Sequence, residues 1–476
     1  MKRESRLLKN TAIIGFGTMC TKGVSFLLLP LYTSILTTEE YGTVDLVNTF
    51  VTLIAYTLTL QFEAGVFRFL IDFRDNKEKQ KEYISTTIFV VTVSLLIGIG
   101  AVIIIDLIKP IGYIKYLIFN IITTIYLSVF CQIARGIGNI PIYTLASFIS
   151  IASQVAFNVL FIVGIDWHIG GMLTASIAGR VLAIITVFFP CKIYKFISIR
   201  DFDKDAFKNL MKYSLPLVPN TLCWWLINAS NRLIISYFLG TSYNGIYAVA
   251  NKFPGLFTTI TSIFQVSWAE NAAETLNSKD RDAYYSKIMS QSMCFIACCC
   301  AGVIAILPLI FTFLINKNYN ETYYHIMILL LSSLMNTWQN LYASLFGALK
   351  KTKYIAKFTA ITAVVTVSLT AIFMGKFGLY AASVTTLISY LLVTLLYHNA
   401  VCKFVKIKYS AKKIIITAIA VLIATVSFLI NNTWVSLLST VAVALISYLL
   451  NKQMIFSILG NVKALLLKKR SKNPQE

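Results

Sequence analysis

Apolar runs of about 20 residues, the length that spans a bilayer, recur from one end of the chain to the other. Fourteen can be marked, at 10–36, 43–67, 84–106, 117–135, 142–163, 171–191, 214–238, 245–268, 287–314, 325–348, 355–374, 379–402, 414–431 and 435–451. Most carry no charge, and the polar stretches between them are too short to hold a soluble catalytic domain. The pattern predicts an all-α polytopic membrane protein with about 14 transmembrane helices. Composition agrees: the 476 residues are 57% hydrophobic and 13% charged, with a mean hydropathy of +0.73. A soluble domain sits near 45–50% apolar and about 25% charged. A soluble enzyme with a membrane anchor and a disordered chain are both excluded.

Charge then orients the helices. Lysine and arginine total 42 against 20 acidic residues, a net +22. With the amino terminus in the cytoplasm, 33 of the basic residues fall in inner segments, four (Lys109, Lys115, Lys317, Lys376) in outer ones, and five inside spans. Basic residues hold short loops on the cytoplasmic side, so the asymmetry predicts two cytoplasmic termini. It also replaces nucleic acid with anionic membrane lipid as the partner of the positive charge. The opening MKRESRLLKN leads into an apolar run too long for a signal-peptide core, so an uncleaved first helix is expected.

No Walker-type phosphate loop is present. The nine cysteines contain no Cys-x-x-Cys pair, and there are three histidines. Cys298, Cys299 and Cys300 read as small helix residues pointing in different directions. No disulfide framework, metal site, catalytic residue or cofactor is expected.

The chain repeats itself. Leu36, Thr38, Gly42, Asn48 and Phe50 match Leu239, Thr241, Gly245, Asn251 and Phe253 at an offset of 203. Leu7, Leu8, Lys9 and Thr11 match Leu210, Met211, Lys212 and Ser214 at the same offset. Gly136 and Tyr143 pair with Gly347 and Tyr354, and Gly171, Ala175 and Ser176 with Gly378, Ala382 and Ser383. The implied organisation is two pseudo-symmetric six-helix lobes, 1–200 and 201–402, followed by two extra helices and a basic tail at 403–476. Six helices per copy give both copies the same orientation. That is the parallel-repeat arrangement of some secondary transporters, with the substrate path between the halves.

Ionisable residues within spans are costly and usually face a bundle interior or a wet cavity. Thr11, Gly15, Thr18, Lys22 and Ser25 recur at helical spacing, as do Asn251, Gly255, Thr258, Ser262 and Gln265 with Lys252 beside them. Asp45, Asn48, Thr52, Thr59 and Glu63 form a third face; Asn228, Asn231 and Arg232 a fourth; Ser332, Asn336, Gln339 and Asn340 a fifth. Stripes of Thr, Ser and Gly alone read as packing seams before they read as cavity lining. The charges turn the reading toward a cationic cavity of Lys22, Arg180, Arg232 and Lys252. Asp45, Asn48, Glu63, Asn228, Asn231, Gln265, Asn336 and Gln339 would support it. Arg68 reads as a side chain reaching the headgroups, with Glu63 as a partner for it or for Lys22. Paired cations suit a diphosphate or an acidic sugar.

The stretches NRLIISYFLGTSYNGIYAVANKF at 231–253, KNTAIIGFGTMCTKGVSFLLLPLYTSILTTEEYGTVDL at the amino end and LFGALKKTKY at 345–354 resemble the Wzx-type lipid-linked oligosaccharide flippases. These belong to the MATE-like multidrug/oligosaccharidyl-lipid/polysaccharide exporter superfamily. The resemblance implies a V-shaped pair of six-helix lobes. It implies translocation of undecaprenyl-diphosphate-linked oligosaccharide by alternating access, for O-antigen, capsule or exopolysaccharide assembly. A proton or sodium gradient is the candidate driving force, polysaccharide polymerase machinery the candidate partner, and a monomer the expected state. The family's basic cavity residues fall on Lys22, Arg232 and Lys252. Competing readings are a MATE-type drug or cation antiporter, which would need deep carboxylates, a lipid II flippase, and a membrane glycosyltransferase or polymerase, which would need a larger outer domain.

Overall fold

The computed structural model describes Gly23 and residues 26–470, without the side chains of Ile199 and of 453–470. It is all helical, and its helices follow the apolar runs. In chain order they are α1 (Leu29–Ile35), α2 (Thr38–Thr59), α3 (Phe62–Asp72), α4 (Lys77–Ile108), α5 (Ile114–Gly136), α6 (Ile140–Asn158), α7 (His168–Phe188), α8 (Lys204–Ser214) and α9 (Val218–Phe238). There follow α10 (Thr241–Ala250), α11 (Lys252–Glu274), α12 (Arg281–Leu314), α13 (Thr322–Ala348), α14 (Thr352–Phe377), α15 (Leu379–Val401), α16 (Ala411–Ile430) and α17 (Thr433–Arg470), the last kinked at Asn451.

Among the described residues, nine helices are long and apolar enough to cross a membrane, or ten if the bent pair α2–α3 counts as one. Of the fourteen runs, the first falls largely outside the described residues. Three further runs fall short in length or apolarity and lie on α9, on α11 with the ten-residue α10, and on α13. Those helices carry Asn228, Asn231, Arg232, Lys252, Asn336 and Gln339. Their shortfall in apolarity is the same feature that makes them candidates for a polar interior.

The chain divides into two compact units. One runs through Lys252 and takes in Thr359–Ala382; the other comprises Phe253–Phe358 and the chain from Ser383 onward. In the first unit, Phe62, Leu70, Ile84, Ile121, Ile125, Ile133, Leu173 and Ala183 form a continuous core. In the second, α16 and α17 pack on α12 and on each other.

Local chemistry sets the helix ends. Thr37 caps α2 with a reciprocal box: its hydroxyl accepts from the Glu40 amide at 3.2 Å while the Glu40 carboxylate accepts from the Thr37 amide at 2.8 Å. The 191–214 linker folds into the short amphipathic α8, capped by Asp203. Lys81 binds Asp201 at 2.8 Å beside it and holds that carboxyl below its ordinary range.

The repeat is visible as element order. Helix starts pair as Thr38 with Thr241, Lys77 with Arg281, Ile114 with Thr322, Ile140 with Thr352, and His168 with Leu379. Its register differs in two places from the one read off matched letters. After α5 the amides of Ile137, Gly138 and Asn139 donate to Ile133, Arg135 and Ala134; after α13 those of Leu349, Lys350 and Lys351 donate to Leu345, Gly347 and Phe346. Gly347 therefore pairs with Arg135, not Gly136. Likewise Gly378 (φ 55°) occupies the left-handed turn position of Asp166 (φ 57°), whereas Gly171 lies inside α7. The glycine letters matched; the backbone roles did not.

Candidate functional site

The two best-matched repeat segments meet within one unit. Gly42 of α2 lies against Thr241 of α10, and Gly245 of α10 against Thr38 of α2, so each copy's glycine seats the other copy's helix start. A Cβ at Gly42 would overlap the Thr241 carbonyl oxygen and stand 2.7 Å from the Gly245 amide nitrogen; one at Gly245 would overlap the Thr38 carbonyl oxygen. Only glycine allows backbones this close. Thr38 Oγ1 and Ser242 Oγ share a hydrogen bond across the crossing, and Asn244 Nδ2 donates to the Gly42 carbonyl at 2.9 Å.

One helical turn further along α2 the charges gather. Arg232 Nε of α9 stands 2.7 Å from Asp45 Oδ2, with the two side chains 23% and 22% exposed. Arg232 Nη1 donates to the Asn228 carbonyl at 2.9 Å, and Asn244 Nδ2 lies 3.3 Å from the same Asp45 oxygen. The Arg232 Nε–H has no aligned hydrogen-bond acceptor, so the contact with Asp45 is an ion pair at close range rather than a formed hydrogen bond. Lys252 Nζ sits over the Tyr41 ring, 5.9 Å from its centroid, and interacts electrostatically with both Asp45 and Arg232. Two cations and one carboxylate leave the cluster net positive.

The structure thus brings Asp45, Arg232 and Lys252 together. Lys22 lies outside the described residues. Arg180, on α7, donates through Nη1 to Asn120 Oδ1 of α5 at 2.5 Å, an oxygen that also accepts from Ser176 at 2.9 Å. This contact lies in a seam between neighbouring helices. Asn231 and Arg232 do not share a face: Asn231 is buried, donates to Tyr247 Oη at 2.9 Å and accepts from Thr370 Oγ1 at 3.1 Å. Asn228 is exposed and donates back to the Trp224 carbonyl.

Glu63 leaves the face of Asp45 and Asn48, because Leu60 (φ 48°) and Gln61 (φ 61°) break the helix and turn α3 by 51°. It is buried, 3.5 Å from Gln61 Nε2 with its other oxygen unpaired. Arg68 pairs with Asp72 at 2.6 Å instead. On α11 the buried side carries Phe253, Phe257, Thr261, Trp268 and Ala272, while Ser262 is exposed and Gln265 half-buried. On α13, Gln339 is buried with its carbonyl oxygen unpaired, and Asn336 accepts from Asn340 at 3.4 Å.

Sequence reasoning missed Tyr41 and Asn244, although they are repeat mates at the same offset of 203. It also missed His168, which bridges Glu40 at 2.8 Å and Asp166 at 3.1 Å. Among the described residues no group of His, Cys, Asp and Glu could hold a metal.

A family model described as "Polysaccharide biosynthesis protein" matches residues 7–268. No curated protein sequence matches the chain. Among solved structures, a lipid II flippase, MurJ, in an inward closed conformation superposes with a TM-score of 0.71 at 14% identity, covering 94% of this chain and 100% of that one. An inward-facing multidrug resistance MATE transporter of the MOP superfamily gives 0.67 at 13%, covering 80% and 93%. A MOP superfamily transporter from Pyrococcus furiosus, described as having a binding pocket of reverse polarity, gives 0.57 at 12%, covering 83% and 95%. At these identities the likeness shows the fold.

Proposed function

The chain belongs to the polysaccharide biosynthesis protein family and is a multi-pass membrane transporter of the MATE-like fold, not an enzyme; from that premise we propose that it flips undecaprenyl-diphosphate-linked oligosaccharide across the bacterial cytoplasmic membrane. The observation that carries this reading is a net-positive Asp45–Arg232–Lys252 cluster on membrane helices of a family concerned with glycan assembly. Arginine offers a two-pronged fork to phosphate oxygens and lysine a point charge, so the pair suits a diphosphate.

Fourteen spans in two six-helix repeats, with both termini cytoplasmic, agree with the basic asymmetry of the loops. In that topology the α2–α10 crossing is at the outer end, and its backbone contact would close that end. Separation of α2 from α10 would break the Asp45–Arg232 pair and turn both cations toward the substrate. The cycle would be alternating access, with the glycine crossing as its outer closure and a proton or sodium gradient as its drive.

Lipid II is the second substrate to consider, because the MurJ structure shares the fold over the whole of its length. Reconstituted vesicles loaded with either lipid distinguish the two. Protected transfer of an undecaprenyl-diphosphate oligosaccharide but not of lipid II is expected; transfer of lipid II alone overturns the polysaccharide reading.

A further inference from the structure

The second unit holds a cavity of about 560 Å³ bounded by α12, α13, α15 and α16, within the range of lipid and small-molecule pockets. It has two distinct ends. At one end stand Ser290, Tyr342, His398 and Tyr409; at the other Ala297, Leu331, Leu391 and Thr425. All four helices agree on this axis, although α12 and α16 run opposite to α13 and α15. From Tyr342 to Leu331 is eleven residues of helix, about 16 Å. The hydrocarbon core of one leaflet is about half of ~30 Å.

The deep part is apolar. Its threonines spend their hydroxyls on backbone carbonyls: Thr425 on that of Val421, Thr417 on that of Lys413, and Thr394 on those of Tyr390 in its own helix and Met335 of α13. The wall toward the bilayer is open at Leu395 and Leu422, 55% and 61% exposed. The mouth is polar. Tyr342 Oη bonds Tyr409 Oη at 2.7 Å and His398 Nδ1 at 3.2 Å. Two lining groups near the mouth lack partners: the Ser290 hydroxyl, on a residue 8% exposed, and the Trp338 indole N–H, one turn in from Tyr342. Just outside lies the basic stretch Lys403, Lys406, Lys408, Lys412 and Lys413.

The geometry points to a resident anionic glycerophospholipid, with one acyl chain in the cavity, an ester carbonyl accepting from Ser290 and Trp338, and its phosphate at the lysine stretch. Chain length, ester oxygens and charge each select this occupant. An apolar pocket open to hydrocarbon fills with a chain rather than with water. A one-leaflet length fits an acyl chain, whereas an undecaprenyl chain is much longer and carries no acyl ester carbonyl for the two unpaired donors. The lysines favour an anionic over a zwitterionic headgroup. This site is separate from the Asp45–Arg232–Lys252 cluster and does not depend on what the protein transports.

Native mass spectrometry of the purified full chain, offered equal phosphatidylglycerol, phosphatidylethanolamine and undecaprenyl phosphate, tests it. One retained phosphatidylglycerol is expected, favoured over phosphatidylethanolamine by about fivefold, the factor that the attraction of one lysine gives. Ala418→Trp fills the groove and should abolish the adduct. A second measurement uses the unaltered fold: phosphatidylglycerol with brominated acyl chains should quench more fluorescence in the wild type than in Trp338→Phe. No adduct, an undiminished adduct in Ala418→Trp, preference for undecaprenyl phosphate, or equal quenching of wild type and Trp338→Phe would each overturn the assignment.

Discussion

Arg232 and Arg180 both lie on helices of the first unit, yet their surroundings differ in kind. Arg180 donates to a neutral amide, Asn120, which Ser176 also binds, between two helices of the same repeat copy. Arg232 faces a carboxylate on α2, a helix of the other copy, next to a crossing that glycines alone make possible. The seam around Arg180 is shared by adjacent helices of one copy, so it would stay whole if the copies moved apart. The Arg232 pair crosses from one copy to the other and must break with any such movement. Arginine in a span marks both kinds of place; the partner's position in the repeat distinguishes latch from seam.

The largest effect should come from the crossing itself. Gly42→Val or Gly245→Val places a branched side chain into the opposing backbone, and export should fall below one-tenth of wild type while membrane-inserted protein persists. Glycine to alanine usually helps a helix by ~0.5–1 kcal/mol; here even Gly42→Ala should lower export, which surface-polysaccharide quantification reads directly. Normal export by either valine variant would remove the crossing from the cycle.

The charge pair should come next. Asp45→Ala leaves Arg232 without its counter-charge at a site about one-fifth exposed, a loss on the order of 1–2 kcal/mol once solvent screening is allowed for. Arg232→Ala should abolish export, and Arg232→Lys should restore part of it because charge survives without the fork. The exchange Asp45→Arg with Arg232→Asp should recover the folded amount but not export, since the cation then sits on the wrong helix for Lys252. Full export by the exchanged pair would reduce Arg232 to a structural partner.

Arg180 should separate from these. Arg180→Gln keeps a donor for Asn120 and should lower the quantity of folded protein modestly, with export per molecule unchanged. A fall in export per folded molecule equal to that of Arg232→Ala would end the distinction between the two arginines.

The helices were legible because period and length are written into the apolar runs, and the equivalence of α2 and α10 because the repeat preserves Gly42 and Gly245 at a fixed offset; that the two helices touch was not, because a repeat offset carries no distance. Helical periodicity could not show that Leu60 and Gln61 take left-handed backbone, so Glu63 was placed on a face that does not continue. Adjacent residues such as Asn231 and Arg232 point about 100° apart, and assigning them one face ignored that. The repeat register slipped at Gly136 and Gly171 because glycine serves both turns and close helix packing. Arg232 read as a cavity cation with no named carboxylate, since a partner 187 positions away at Asp45 leaves no local signal.

The smallest effect is expected at the linker. Lys81 holds the Asp201 carboxyl below its ordinary range. A depressed carboxyl stabilises the fold above its unfolded value, near 4, and that contribution is lost only as pH falls through the lower folded value. Amide exchange around Asp203 should therefore stay constant from pH 8 to pH 5, after correction for intrinsic rates, and rise only below about 4. Arg68→Ala, which removes a half-exposed pair with Asp72, should leave export within about twofold.

The account turns on whether α2 and α10 must part during transport. Thr38 Oγ1 and Ser242 Oγ are already in hydrogen-bond contact, so cysteines at these two positions, in a chain whose nine native cysteines are replaced, can be oxidised to a disulfide. Export measured before oxidation, after quantitative cross-linking and after reduction is the direct test. Loss on cross-linking and recovery on reduction is the result expected; undiminished export with the bridge complete would contradict the account.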